Sequence, residues 1–326
     1  MEHSPEVKVV GDRLVLGPVT VEFARTLRIP ETGLHPLPPG LDSFPLRRVQ
    51  DYADRVPSEW LAHGGIMLPI YQREAMWLSF GSSEAAALQV GIGKVCAVSG
   101  ESWRDRLARD PQNYVALPEQ PWLDGINAGD GFVRQFVAVP LGSGATVEGQ
   151  VTGQEVHGGV QLRAVGLTAQ ALEAWQARPS FEDEMAVFED CDPLPAPSAA
   201  PAMGLGAGGR MRQEVYADDR PLSDYDEDRC WRVFVHLCSA AQWTAITGEV
   251  PPPSPVDRDA YVEAGLPWFD YYDADARDLT APGVLTNVKS VGEWFGVSEK
   301  PFVAVDPEKV VTLKGAPGDA VADGDW

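Results

Sequence analysis

Cysteine is scarce in this chain. Only Cys96, Cys191, Cys230 and Cys238 occur in 326 residues, none of them in C-x-x-C spacing. A disulfide-built scaffold and a zinc ribbon are therefore excluded, and reduced thiols in a cytoplasmic setting are the expectation. Basic residues are scarce too: 26 Lys and Arg face 48 Asp and Glu, for a formal net charge of −22. Nucleic acid and anionic membrane surfaces are held by basic faces. Up to Met203 there are 26 acids and 15 bases, and beyond it 22 and 11, so neither half is a basic module. No nucleic-acid partner and no membrane partner are expected.

Long apolar runs are also missing. A bilayer-crossing helix needs about 20 mostly apolar residues. The longest uncharged stretch, 193–209, is broken by Pro and Gly, and the most hydrophobic, 233–248, is short and carries His236 and Gln242. The first residues, with Glu2, Glu6 and Lys8, lack the basic-then-apolar layout of a signal peptide. Neither H-E-x-x-H nor G-x-S-x-G occurs, and the glycine-rich run 205–209 lacks the Lys-Ser/Thr of a phosphate-binding loop.

What is present is a succession of short alternating segments punctuated by glycine (32 residues) and proline (28 residues). Val7 to Val10 and Arg13 to Leu16 read as a hairpin whose Gly11-Asp12 turn uses the positive φ open to glycine. Strands are expected at 19–23, 66–70, 75–80, 88–98, 132–139, 146–151 and 160–165, with an extended, proline-rich loop over 30–45. Helices are expected over 51–62, anchored by Trp60, over 101–109, capped by Ser99, and over 168–177. This series predicts a β-rich α+β protein. An antiparallel sandwich or partly closed barrel would span residues 1–190, a Pro/Ala/Gly-rich linker or strap 191–209, and a smaller α+β domain 210–326. In that second part strands are expected at 212–216, 231–238, 302–305 and 310–313, helices at 240–247 and 258–264, and a frayed acidic end.

Three constellations are candidates for chemistry. In Tyr71 to Trp77 an amide, a guanidinium and a carboxylate (Gln72, Arg73 and Glu74) sit at the mouth of a strand. Strand alternation puts Gln72 and Glu74 on one face and Arg73 on the other, and structural pairing is the simpler account. The long loop after Pro118 bears Glu119, Gln120, Trp122, Asp124, Asn127 and Asp130 and feeds a strand with Arg134 and Gln135. Scaffolds commonly present binding residues in such loops. Asp124, Asn127 and Asp130 are hard oxygen donors suited to Ca²⁺ or Mg²⁺, the one cofactor the residues suggest, but the spacing is not that of an EF-hand and Asx turns that shape the loop are the simpler account. His236 and Cys238, two apart in a strand, form a nucleophile pair or half a zinc site on one reading and ordinary core on the other.

These residues point to a soluble binding or assembly protein that presents the 118–135 loop to a protein partner or to another copy of itself. The alternative is a hydrolase in which Glu119, Asp124 and Asp130 act as acid, base or metal ligands and Arg134 orients them. Beyond the residues taken singly, the strings QREAMW, PEQPWLDG, DGFVRQFVAVPLGSG, VEGQVTG, GAGGRMRQ and GLPWFDYY resemble a family of uncharacterised bacterial and fungal proteins, from Arg25 to Val291. Some members carry a membrane-protein label, which the hydropathy of this chain contradicts. The resemblance implies no catalytic residue.

Overall fold

The computed structural model describes residues 7–31, 33–177, 202–254, 268–272, 278–279, 282–296 and 310–314. The expected hairpin forms β1 (Val7–Val10) and β2 (Arg13–Leu16) and runs into β3 (Val19–Thr26), whose alternation buries Val19, Val21 and Phe23. The proline-rich stretch is not wholly loop: β4 (Leu34–His35) and β5 (Gly40–Ser43) pair with strands from elsewhere, and β6 (Arg47–Arg48) follows. The helix expected over 51–62 is split because Pro57 cannot continue a helical ladder. A 3-10 turn over Val49–Tyr52 precedes α1 (Ser58–His63), which buries Trp60. Next come β7 (Ile66–Pro69), β8 (Ala75–Ser82), β9 (Ala86–Ile92) and β10 (Val95–Cys96).

Two expectations fail for physical reasons. No helix forms over 101–109, because the carbonyls of Arg104 and Arg106 accept from the side-chain amides of Gln89 and Asn113 rather than from a following turn. Then β11 (Val115–Leu117), β12 (Trp122–Leu123), β13 (Gly125–Gly129) and β14 (Phe132–Pro140) follow in close order. Residues 146–151 are helical rather than extended: Thr146 accepts from the Gly149 amide and so caps α2 (Val147–Thr152). The rest of the described chain is β15 (Val160–Leu167), α3 (Ala169–Gln176), β16 (Met203–Arg212), β17 (Tyr225–Cys238), α4 (Ala240–Thr247), β18 (Trp268–Tyr272), α5 (Gly283–Thr286), α6 (Val291–Phe295) and β19 (Val310–Lys314).

β18 and β19 pair in parallel with each other; the other seventeen strands form one sheet. Its long ladders, β3 with β8, β14 with β16, and β15 with both β17 and β9, are antiparallel. One arm runs β2, β3, β8, β14, β16. The other runs β9, β15, β17, β7, and the arms join where Met203 pairs with Leu237. Inward side chains from both arms, among them Phe23, Leu88, Phe136, Leu162 and Val235, share one core. The β-rich α+β class is therefore as expected, but residues 203–209 are buried strand rather than linker. β14 and β15, before the expected boundary, pair with β16 and β17 beyond it, so the sheet runs across that boundary. The expected helix 258–264, the strand 302–305 and residues 191–201 lie outside the described residues.

Segment 213–218 was expected to begin as strand, yet it follows β16 without joining a ladder. Its backbone is stitched to residues 112–124 by buried amides. Gln213 accepts from the Asp124 amide (2.9 Å) and Gln120 from that of Tyr216 (3.0 Å) while donating to the Glu214 carbonyl (3.2 Å). Gln112 accepts from Asp218 N (2.9 Å) and donates to Tyr216 O (3.1 Å). Leaving a buried polar group unmet costs about 1–3 kcal/mol. Gln120→Leu, which strands the Tyr216 amide and the Glu214 carbonyl, should therefore lower unfolding stability by about 3 kcal/mol. Gln72→Leu at an exposed site should change it by less than about 0.5 kcal/mol. Urea denaturation of the two variants checks the contrast.

Candidate functional site

An open cavity of about 410 Å³ lies between β1, the turn after β6, α1 and β17. Lys8, Arg48, His63 and Arg232 line it on the polar side, and Val7, Val9, Ile66 and Phe234 supply apolar surface. No carboxylate lines it among the described residues. Arg48 is held by both oxygens of Asp51 (2.8 Å each) and Arg232 pairs with Asp105, but these carboxylates stand outside the cavity wall. Basic side chains gathered around a recess stand out in a chain at −22, even with Arg48 and Arg232 each held in an ion pair.

Beside the cavity two similar turns press on β17. His63-Gly64-Gly65 enters β7 and His157-Gly158-Gly159 enters β15, the two strands that flank β17. Gly65 (φ 84°) and Gly159 (φ 67°) both need a conformation that other residues rarely adopt. A Cβ on Gly65 would lie 2.0 Å from the Phe234 carbonyl oxygen, and one on Gly159 2.4 Å from that of Val235. The close approach brings the preceding histidines together: His63 and His157 meet edge to face at 4.8 Å between ring centroids, and His63 lies 5.3 Å from the Phe234 ring. His236, one face-repeat along β17, stacks on Trp60 at 4.5 Å and donates from Nε2 to the Gly64 carbonyl (2.9 Å). His63 Nδ1 donates to the Glu59 carbonyl (2.7 Å), which leaves its Nε2 as the free ring nitrogen of that bond pattern.

Burial pushes the His236 pKa down to about 4, with His63 and His157 adding to the shift. Burial also lowers that of His157, helped by Lys94 and His63. Both rings are thus neutral at pH 7. The buried Glu148 supports the second turn by accepting from the His157 and Gly158 amides (3.3 and 3.2 Å). Among the described residues no group of three or more His, Cys, Asp or Glu is placed to hold a metal ion. Nothing in the sequence reading singled out His63 or His157. The usable signal was the string His-Gly-Gly, which occurs twice and each time leads into an Ile- or Val-initiated strand.

The residues that the sequence singled out are dispersed and mostly structural. Gln72, Arg73 and Glu74 lie in a turn, not a strand, with Arg73 at φ 70°. Glu74 is buried and takes Arg25 Nε at 2.7 Å, whereas Gln72 and Arg73 face outward. The 118–135 segment is not a presented loop, since β12 to β14 occupy most of it and bury Gly125 to Gly129. Glu119 is exposed and pairs with Arg220 (3.5 Å), Trp122 is half-buried, and Arg134 pairs with Glu293 (3.6 Å). Gln120 and Gln135 are backbone partners, the latter for Ile29 N (3.0 Å) and Leu27 O (2.8 Å). Asn127 makes the Asx contact to Gly129 N (2.9 Å), and Asp130 is exposed at a left-handed turn (φ 55°). Asp124, Asn127 and Asp130 therefore do not converge on a cation.

Cys238 shares a strand face with His236, but burial raises its pKa and keeps the thiol protonated. The run from Gly204 to Gly209 has G-x-G-x-x-G spacing, yet it lies within β16 instead of at the strand-to-helix turn where such spacing meets a phosphate.

Two buried groups make stability depend on pH with opposite signs. Burial raises the Asp124 pKa from 3.8 to about 7 against hydrogen bonds from Trp122 and Gln213. Its contribution is thus full below pH 4 and lost as pH rises toward 7, since only the unfolded carboxyl ionises in that window. Asp124→Asn should gain stability relative to wild type over pH 4–7, by at most about 1.4 kcal/mol per pH unit. His236 behaves oppositely: its contribution is full above pH 6.5 and lost as pH falls toward 4, so His236→Gln should flatten the acid side of the profile. Chemical denaturation at half-unit pH steps from 4 to 8 separates the two. In comparisons with known proteins, no family model, no curated protein and no solved structure matches this chain significantly.

Proposed function

We propose that this protein binds an anionic ligand in the cavity between β1, α1 and β17. One observation carries the reading: Lys8, Arg48, His63 and Arg232 line a recess in whose wall no described residue is a carboxylate, although acids outnumber bases almost two to one in the chain. Like charge elsewhere on the surface repels anions, so a local positive site confers selectivity as well as attraction. The apolar surface of Phe234, Ile66 and Val9 favours a ligand with an apolar part beside its charge. A binding role also agrees with the neutral state of His157 and His236, the latter hydrogen-bonded to the Gly64 carbonyl, which act as packing and shape rather than as proton carriers. A cytoplasmic setting is part of the proposal, supported by the free thiols of Cys96, Cys230 and Cys238. Among the described residues no helix is long and apolar enough to cross a membrane.

Citrate serves as a simple polyanionic probe. Calorimetric titration at pH 7 and low salt should give saturable binding with one site per chain, weakened by added salt. Arg232→Glu and Arg48→Glu should each weaken it at least tenfold, while Arg13→Glu, in an exposed ion pair with Glu22 on β2, should leave it unchanged. Absence of saturable binding, or equal binding by all three variants, overturns the proposal.

A further inference from the structure

Three of the five histidines of the chain meet between α1, the turn before β15, and β17. The His63 ring lies 4.8 Å from that of His157 and 6.2 Å from that of His236, and Phe234 touches all three at 5.3, 6.2 and 4.6 Å. Little negative charge faces this cluster among the described residues. Asp54 and Glu59, before and within α1, are exposed, Asp51 holds Arg48, and Glu155 accepts from the Gly142, Gly144 and Thr146 amides. Glu148 is the carboxylate that favours a proton on His157. Against it stand Lys94 beside His157, Arg55 on the stretch before α1, and Lys8, Arg48 and Arg232 in the adjoining cavity. α4, which shares an apolar cluster with Trp60, carries no charged residue.

We infer, beyond the anion-binding reading and independently of it, that this cluster is an acid-triggered switch: protonation of His157 and His236 drives α1 and the 63–65 turn away from β17. The position of His236 is decisive. Its ring is buried, stacked on Trp60 at 4.5 Å and bonded to the Gly64 carbonyl, so α1 and the turn after it are what cover it. An imidazolium cannot be hydrated there, and burial outweighs the Gly64 carbonyl in holding the pKa down at about 4. Opening admits water and returns the ring toward its ordinary 6.5. The open form therefore takes up the extra proton. Through His236 the opening constant grows by up to about tenfold for each pH unit from 6.5 down to about 4. His157 adds to the slope, because burial, Lys94 and His63 oppose its charge in the closed form. α1 has six residues, too few to stay helical without packing, so losing the Trp60 contact also releases its amides. Ala62, His63 and Gly65 line the cavity, and opening removes that part of its wall.

Hydrogen exchange of the full chain, read by mass spectrometry from pH 7 to 5 with labelling times scaled to the intrinsic rate at each pH, tests the switch. Protection of residues 57–65 should fall about tenfold between pH 6 and 5 and recover on return to pH 7. β9, which is buried along its whole length, should stay protected. His236→Gln keeps a donor for the Gly64 carbonyl but takes no proton, and should cut the fall to less than about threefold. The switch is overturned if protection of 57–65 does not change with pH, or if His236→Gln leaves the fall intact. Parallel loss in β9 also overturns it, since that is acid unfolding of the whole chain. Should His236→Gln not fold, His157→Gln at its half-buried site decides: a reduced slope supports the switch and an undiminished one overturns it.

Discussion

Buried backbone must be hydrogen-bonded, and the rest of this structure depends on how that demand is met where strands end. In the centre of the sheet the ladders suffice. Around residues 112–135 and 213–218 they do not, and side-chain amides take over. Gln112, Gln120 and Gln135 each behave as a detached peptide group, accepting from one backbone amide and donating to another residue's carbonyl, and Gln213 accepts from the Asp124 amide while donating to the Asp124 carboxyl. Asp218 works in the same way on the phenols, accepting from Tyr114 (2.7 Å) and Tyr225 (2.9 Å), and so ties that segment to the start of β17. An amide is suited to this role because it carries donor and acceptor without charge. Asp124 approaches the same state because burial keeps its carboxyl partly protonated at neutral pH.

β17 is the spine on which the candidate site is assembled. Two glycine turns press on consecutive carbonyls of this strand from opposite sides, and the geometry of those contacts fixes where His63 and His157 stand. The stacked rings of His236 and Trp60 then form the wall between β17 and α1, and Lys8, Arg48 and Arg232 are the basic side chains of the cavity. The guanidiniums are steadied by Asp51 and Asp105, neither of which lines the recess. Such an arrangement puts basic side chains, apolar surface and strand edges around one recess.

Several features were legible in the amino-acid sequence because they are local. Alternation marked β1 to β3, β14 and β15, a continuous apolar run marked the buried end of β17, and helices form where they were expected after Leu167 and Ser239. The candidate residues were chosen by polarity within loops, and there the same chemistry served another purpose. Gln120, Asn127 and Gln135 are polar because buried strand ends need partners, a demand invisible until the strands are placed. Residues 203–209 looked like a linker because their side chains are too small to build a core. In the fold they are buried because small side chains let a central strand lie close to its neighbours.

By itself, then, the sequence determined the β-rich class, the excess of negative charge and the lack of a long apolar run, since composition and periodicity act residue by residue. Only the tertiary structure decided what gathers around the cavity. Lys8, Arg48, His63 and Arg232 lie far apart along the chain, and their convergence follows from β7 running parallel to β17 and β1 folding back against it. Pairings across such distances depend on which strand edges meet, a property of the assembled sheet that no local segment carries.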